Sequence, residues 1–132
     1  MTSPAVHTAR RRVEFADTDA AGAAHFTRLL AMVEEAVHSF FRGKNIPLLS
    51  PHSAWPFVSI RADYTAKCGP GDELDIRIAF HPPGKSSLSA DFTAIRAGSA
   101  AFSGSLTLCH IDPSTGRPSE IPAETRRHFE NP

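Results

Sequence analysis

The chain has 132 residues, enough for one domain that buries about two-thirds of the surface its unfolded form exposes. Hydrophobic residues make up 41% and charged residues 21%, and 14 basic against 14 acidic side chains leave no net charge. That neutrality excludes the chain-wide positive field of a nucleic-acid or anionic-membrane binder, and no apolar run reaches the ~18 residues of a membrane helix.

The N-terminus is polar and lacks the apolar core of a secretory signal. Cys68 and Cys109 stand apart, with no partner at metal-ligand spacing, and read as reduced thiols of a cytoplasmic protein. Arg10-Arg11-Arg12 is the one basic cluster and reads as a solvated strand end rather than a phosphate site. The expectation is a single domain over 1–132 with no nucleic-acid and no membrane partner.

Residues 7–15, "HTARRRVEF", predict a first short strand. From Phe26 the period becomes helical: Phe26, Leu29, Leu30, Val33, Val37, Phe40 and Phe41 recur every three or four residues, and Gly43 marks the stop. After the Pro-rich "IPLLSPHSAWP" the period drops to two. Val58, Ile60, Ala62 and Tyr64 define one strand; Leu74, Ile76, Ile78 and Phe80 a second; Leu88, Ala90, Phe92 and Ala94 a third; Phe102, Leu106 and Leu108 a fourth. Turns at "CGPGDE", "PPGKS", Gly98 and "DPSTGRP" separate them, and "PAETRRHF" predicts a short helix over about 122–130.

Clean alternation means one wet and one buried face per strand, as in an antiparallel sheet. The order is strand, long helix, then four strands. One helix cannot cover five strands from a distance, so the sheet is expected to wrap around it in an α+β fold. A second copy would cover the edge and face that remain.

"FADTDAAGAAHF" (15–26) sets two carboxylates, Asp17 and Asp19, among small apolar residues. A calcium loop starting at Asp17 would have Asp19 and Gly22 correctly placed, but Ala21 falls at its fifth position and Arg28 where a bidentate Glu belongs. The seven histidines show no HxxxH or HExxH spacing for zinc. Two readings stay open: an Asp that turns the chain and favours the positive end of the helix, or a carboxylate that does chemistry.

"VEFADTDAAGAAHFTRLLAMVEEA", followed by "PFVSIRADYTAKCGPGDELDIRI" and "GKSSLSADFTAI", resembles the 4-hydroxybenzoyl-CoA thioesterase family of hotdog-fold proteins, over about residues 9–112. The resemblance implies a five-stranded antiparallel sheet around one long central helix, an acyl-CoA substrate, and a homodimer or homotetramer with active sites between subunits. No metal or cofactor is implied. Asp19 becomes the catalytic carboxylate, attacking the thioester carbonyl or deprotonating a water. Proton abstraction benefits from a raised pKa; direct attack does not need one. The backbone N–H at Phe26, an unpaired donor at the start of the helix, becomes the oxyanion donor.

Gly22 permits the close-approaching loop between them. His25 is placed to touch substrate or orient a water, or to serve the helix start. Asp17 supports the loop by hydrogen bonding. For coenzyme A, Lys85, Ser86 and Ser87 in "GKSS" offer a point charge and hydroxyls to a phosphate, or form an ordinary polar hairpin. Ala23 and Ala24 stand where relatives carry bulkier residues, leaving room for an acyl group. Trp55 reads as a packing residue near the end of the helix or as the floor of an acyl pocket. The rivals are a hotdog dehydratase or hydratase, which the 17–26 motif does not resemble, and a non-catalytic acyl-CoA binding module.

Overall fold

The period-two stretches become the strands of one antiparallel sheet. The computed structural model describes residues 5–130, so the outermost residues of the expected 1–132 domain lie outside the described residues. In chain order the elements are β1 (Ala5–Arg12), α1 (Phe26–Gly43), β2 (Leu49–Ser50), β3 (Ser53–Ala54), β4 (Phe57–Tyr64), β5 (Glu73–Phe80), β6 (Ser87–Arg96), β7 (Ser99–Cys109), β8 (Ile111–Asp112), β9 (Arg117–Pro118) and α2 (Ala123–Glu130). The main sheet runs β1-β5-β6-β7-β4, with every neighbouring pair antiparallel. On its inner face the predicted sets from Leu74 to Phe80, from Leu88 to Ala94 and from Phe102 to Leu108 are all fully buried. Ala97 (φ +49°) and Gly98 (φ +82°) make the tight turn that feeds β6 into β7, the left-handed pair that suits the strands' twist.

Helix α1 buries Leu29, Met32, Val33, Ala36, Val37, Phe40 and Phe41. Its C-terminal half meets the sheet and α2 through rings: Phe40 lies 4.7 Å from Phe80 and 5.4 Å from Phe129. Trp55 is buried against Phe41 (5.1 Å) and His110 (4.7 Å), so it is a core residue, not an acyl floor. Its Nε1 has no partner among the described residues. Cys68 and Cys109 are both free thiols.

Several expectations change. The first strand begins at Ala5 and ends at Arg12, and Phe15–Asp17 form a 3-10 turn that leaves the Phe15 ring in solvent. Helix α1 does end at Gly43 as expected, but the left-handed residue is Asn45 (φ +57°), two positions further on. Val58 drops out of the alternation because a bulge between Phe57 and Ser59 makes it the extra residue, and Phe57 takes the inner position opposite Leu108. The inner face of β4 is open, with Ile60 40% and Tyr64 41% exposed, because β4 is the sheet edge and α1 does not cover it. Phe26 (54% exposed) and the half-buried Leu30 leave the core for the same reason. A small second sheet, β2-β3-β8-β9, joins the Pro-rich connection to the 111–118 turn; its two-residue strands are too short to show a period.

Candidate active site

The acidic loop is a closed structure fastened at both ends. Val13, fully buried, exchanges backbone hydrogen bonds with Asp72 and Gly71 and carries β1 one residue past its ladder. The chain then turns so that the Glu14 N–H donates to Asp17 Oδ2 (2.8 Å), while Arg28 on α1 donates from Nε and Nη2 to Oδ1, each at 2.9 Å. The Asp17 carbonyl accepts from the His25 N–H at 2.8 Å. Oδ2 of Asp17 is thus occupied in closing the loop and Oδ1 in joining it to α1, which is the supporting role expected of it.

The Glu14 N–H, opposed by partial burial and reinforced by the Arg28 guanidinium, holds Asp17 below the usual carboxylate range. A depressed folded-state pKa contributes stability above the unfolded value of about 3.9 and loses it as pH falls through the folded value. Asp17→Asn is therefore expected to cost about 1–2 kcal/mol at pH 7 and to flatten the acid limb of stability. Urea unfolding of both proteins between pH 7 and pH 3 checks this: the two curves should converge at the acid end.

Asp19 sits inside the loop, exposed in the single chain. Its Oδ1 accepts from the N–H groups of Ala21 (2.9 Å) and Ala23 (3.3 Å), and its own N–H donates to the Ala23 carbonyl at 2.8 Å. Gly22 closes the turn at φ +77°, a conformation other residues adopt only with strain; an added Cβ would touch nothing within 4 Å, so conformation alone calls for glycine. A bridge between Thr18 and Ala24, and the Ala24 N–H on the Cys68 carbonyl at 2.7 Å, dock the loop on the connection before β5. Asp19 Oδ2 has no partner among the described residues.

The helix begins immediately afterwards. His25 is its N-cap: Nδ1 accepts from the Thr27 N–H at 3.3 Å and lies 2.7 Å from Thr27 Oγ1, which places the ring proton on Nε2. Its ring stacks on Phe26 at 4.9 Å. The Phe26 N–H has no acceptor among the described residues, and the positive end of α1 adds to its potential. Tyr64 is the residue sequence reasoning missed. From the end of β4 its hydroxyl donates to the Phe26 carbonyl (3.3 Å), tying the edge strand to the helix start. Alternation showed Tyr64 only as an inward residue.

Asp19, Gly22, His25 and Phe26 thus lie along one continuous stretch, the loop and the helix start that follows it. Lys85, Ser86 and Ser87 do not join them in one chain. The loop rests where β5 begins, and the "GKSS" turn lies beyond where β5 ends, about 25 Å away for eight extended residues. That turn is held by Arg126 of α2, which donates to the carbonyls of Pro83 (3.0 Å) and Gly84 (2.9 Å). A cavity of about 180 Å³ opens there beside Lys85, Ser86 and Glu120. Beside the helix start a second, more apolar cavity of about 280 Å³ runs between α1 (Thr27, Leu30, Ala31, Glu34) and β4 (Phe57, Ile60).

An antiparallel sheet with few helices, the longer one starting directly after the acidic loop, is the fold of the hotdog thioesterases. The chain belongs to the thioesterase-like superfamily, whose sequence profile matches residues 13–129, and it is a thioester hydrolase by class. It is 30% identical over 139 residues to a 1,4-dihydroxy-2-naphthoyl-CoA hydrolase of Synechococcus sp. (strain CC9605), covering 98% of this chain and 93% of that protein. The crystal structure of a 1,4-dihydroxy-2-naphthoyl-CoA thioesterase from Synechocystis superposes with a TM-score of 0.87 at 22% identity, covering 93% of this chain and 94% of that one. A 4-hydroxybenzoyl-CoA thioesterase variant bound to 4-hydroxybenzoyl-CoA gives 0.86 at 17% identity, over 96% and 99% of the two chains. At those identities the two structures speak for the fold.

Proposed function

We propose that the chain hydrolyses an acyl- or aroyl-CoA thioester to the free acid and coenzyme A, with Asp19 as nucleophile or general base and the Phe26 N–H as oxyanion donor. The observation that carries this reading is the loop itself. Its internal bonds leave one Asp19 oxygen without a partner among the described residues, on the loop that leads straight into a helix whose first N–H likewise has no acceptor among them. In one route the carboxylate adds to the thioester carbon, the CoA thiolate leaves, and water cleaves the mixed anhydride. In the other, Asp19 takes a proton from a water that attacks the same carbon, and the C–S bond then breaks as the CoA thiolate leaves and takes up that proton. Both routes build negative charge on the carbonyl oxygen, where a fixed donor at a helix end is most effective. His25, already committed to capping, offers Nε2–H to the substrate, and Gly22 lets the loop backbone approach it.

We read the sheet as curled around α1 within a single domain, and the working form as a homodimer or homotetramer. Open edge backbone beside Val58, Ile60 and Tyr64 on β4 supports this, since such edges pair with another chain unless protected. Two copies joined antiparallel through β4, about an axis perpendicular to the sheet, are turned end for end. The "GKSS" turn of the second copy then lies at the end that carries Asp19. Lys85, Ser86 and Ser87 in that position can meet the phosphates of coenzyme A.

Release of free thiol from a panel of acyl-CoAs, headed by 1,4-dihydroxy-2-naphthoyl-CoA and 4-hydroxybenzoyl-CoA, tests the activity. Saturable binding without turnover of any of them would replace it with the binding-module reading. Ile60→Glu is expected to shift sedimentation toward monomer and to lower activity at least about tenfold, as a charge buried without a partner disrupts the shared edge. A fully active monomer would remove the shared-site part of the proposal.

A further inference from the structure

The "GKSS" turn is held from behind more firmly than an exposed hairpin requires. Arg126 of α2 donates from Nη1 to the Pro83 carbonyl (3.0 Å) and from Nη2 to the carbonyls of Gly84 (2.9 Å) and Lys85 (3.4 Å). The Ile121 N–H reaches the Lys85 carbonyl at 2.9 Å, and the His110 N–H that of Ser86 at 2.7 Å. Four consecutive carbonyls, from Pro83 to Ser86, thus end on donors of the protein. Across a trans peptide the N–H points away from the carbonyl of the residue before it. Holding the Gly84 and Lys85 carbonyls inward therefore turns the N–H groups of Lys85 and Ser86 outward, and neither has an acceptor among the described residues. Unpaired N–H groups are ordinary in an exposed turn. A guanidinium fixed on three successive carbonyls is not, and Arg126, its side chain only 24% exposed, has just one further partner among the described residues, Glu130 at 3.7 Å.

We propose that Arg126 is a positioning residue for coenzyme A: it keeps the N–H groups of Lys85 and Ser86 aimed, as a rigid pair, at a phosphate that Arg126 itself does not touch. This role rests on the proposed hydrolysis of a CoA thioester. Successive N–H groups presented by a turn form a concavity suited to an anion, and a pair already fixed loses little freedom when the anion arrives. Charge alone would serve poorly here, because Glu120 lines the same cavity as Lys85 and offsets it. Removing the guanidinium would release the Gly84 carbonyl, which has no other donor among the described residues, and with it the Lys85 N–H across the same peptide. The Lys85 carbonyl keeps Ile121 and the Ser86 carbonyl keeps His110, so the hairpin itself persists. Helix α2 persists too, since the Phe129 ring anchors it 5.4, 5.7 and 5.1 Å from those of Phe40, Phe41 and Phe80.

The measurement compares one acyl group carried on coenzyme A and on pantetheine, which lacks the phosphates, using an acyl group that the panel shows to be hydrolysed. In Arg126→Ala, KM for the CoA thioester is expected to rise about tenfold with kcat unchanged, the loss of hydrogen bonding to a charged group that contributes to binding alone. The pantetheine thioester should be hydrolysed as by the unaltered protein, whereas a merely structural role would impair both substrates. Arg126→Lys, which keeps the charge but not the planar fork, should recover little of the affinity. An unchanged KM in Arg126→Ala, an equal loss on both thioesters, or full recovery in Arg126→Lys overturns the proposal and leaves hydrolysis intact. Should no thioester be turned over, the hydrolysis reading fails, and the dissociation constant of coenzyme A itself decides the role of Arg126. A rise of about tenfold in Arg126→Ala then supports that role, and no change, or no binding by the unaltered protein, overturns it.

Discussion

Asp19→Asn is expected to reduce thioester hydrolysis by at least about 10³-fold while leaving the fold and the loop unchanged. The reason lies in which atoms the substitution alters. The loop uses Asp19 through its backbone and through Oδ1, which accepts from Ala21 and Ala23. Asparagine keeps an oxygen at that position and so keeps both bonds. What it loses is the negative charge and the free Oδ2, the two properties that attack on a carbonyl or abstraction of a proton requires. Loss of a general base alone removes about 10²–10⁴-fold, and loss of a covalent nucleophile removes more. The Phe26 N–H and the helix end remain, so substrate affinity should stay close to that of the unaltered protein. Steady-state kinetics alongside direct binding of a slowly turned over acyl-CoA separate these effects. Asp19→Ala is the poorer test, because it also removes the Oδ1 bonds that shape the loop. Full activity in Asp19→Asn would sink the mechanism.

The same contrast between backbone role and free side chain explains how far the sequence could be read. The three inner strands were legible because each places an apolar residue at every second position under continuous cover. β4 was misread in detail because its pattern is correct but its cover is not in the chain. Tyr64 and Ile60 alternate like core residues and lie at an edge. The bulge that expels Val58 has no mark in the sequence, since one extra residue in a run of Phe, Val, Ser and Ile leaves the composition unchanged. In the acidic loop, Gly22 and the helical period from Phe26 already marked a tight turn and the helix start that follows it. The Asp17–Arg28 ion pair was hidden because its partners are 11 residues apart and meet only when the loop folds back on α1. Arg126 was hidden for a similar reason, as its acceptors are backbone carbonyls more than 40 residues away. Side chains that bind backbone across the fold leave no periodic trace.

Gly104→Ala should destabilise the protein by about 3 kcal/mol or more, the largest effect on folding expected from so small a change. Gly104 sits in the middle of β7, flanked by Ala62 of β4 on one side and Phe92 of β6 on the other. A Cβ built there would run into the Arg61 carbonyl oxygen, and would lie 2.8 Å from the Arg61 carbonyl carbon and 2.8 Å from Phe92 Cζ. The Phe92 ring occupies the space a side chain would need, and it is itself fully buried against Phe102 at 6.3 Å. Relief therefore requires β4 to move away from β7 or Phe92 to leave its rotamer, and overpacking of this kind typically costs 1–3 kcal/mol before any ladder bond is lost. β4 is the softer partner, because its other edge is open. Displacing it would disturb everything that depends on that strand: the groove walls at Phe57 and Ile60, the Tyr64 hydroxyl on the Phe26 carbonyl, and the edge offered to a second copy. Thermal unfolding should report the loss of stability, and sedimentation a weakening of the proposed dimer. A Gly104→Ala protein with unchanged melting temperature would mean that β4 is held far more loosely than its register with β7 indicates.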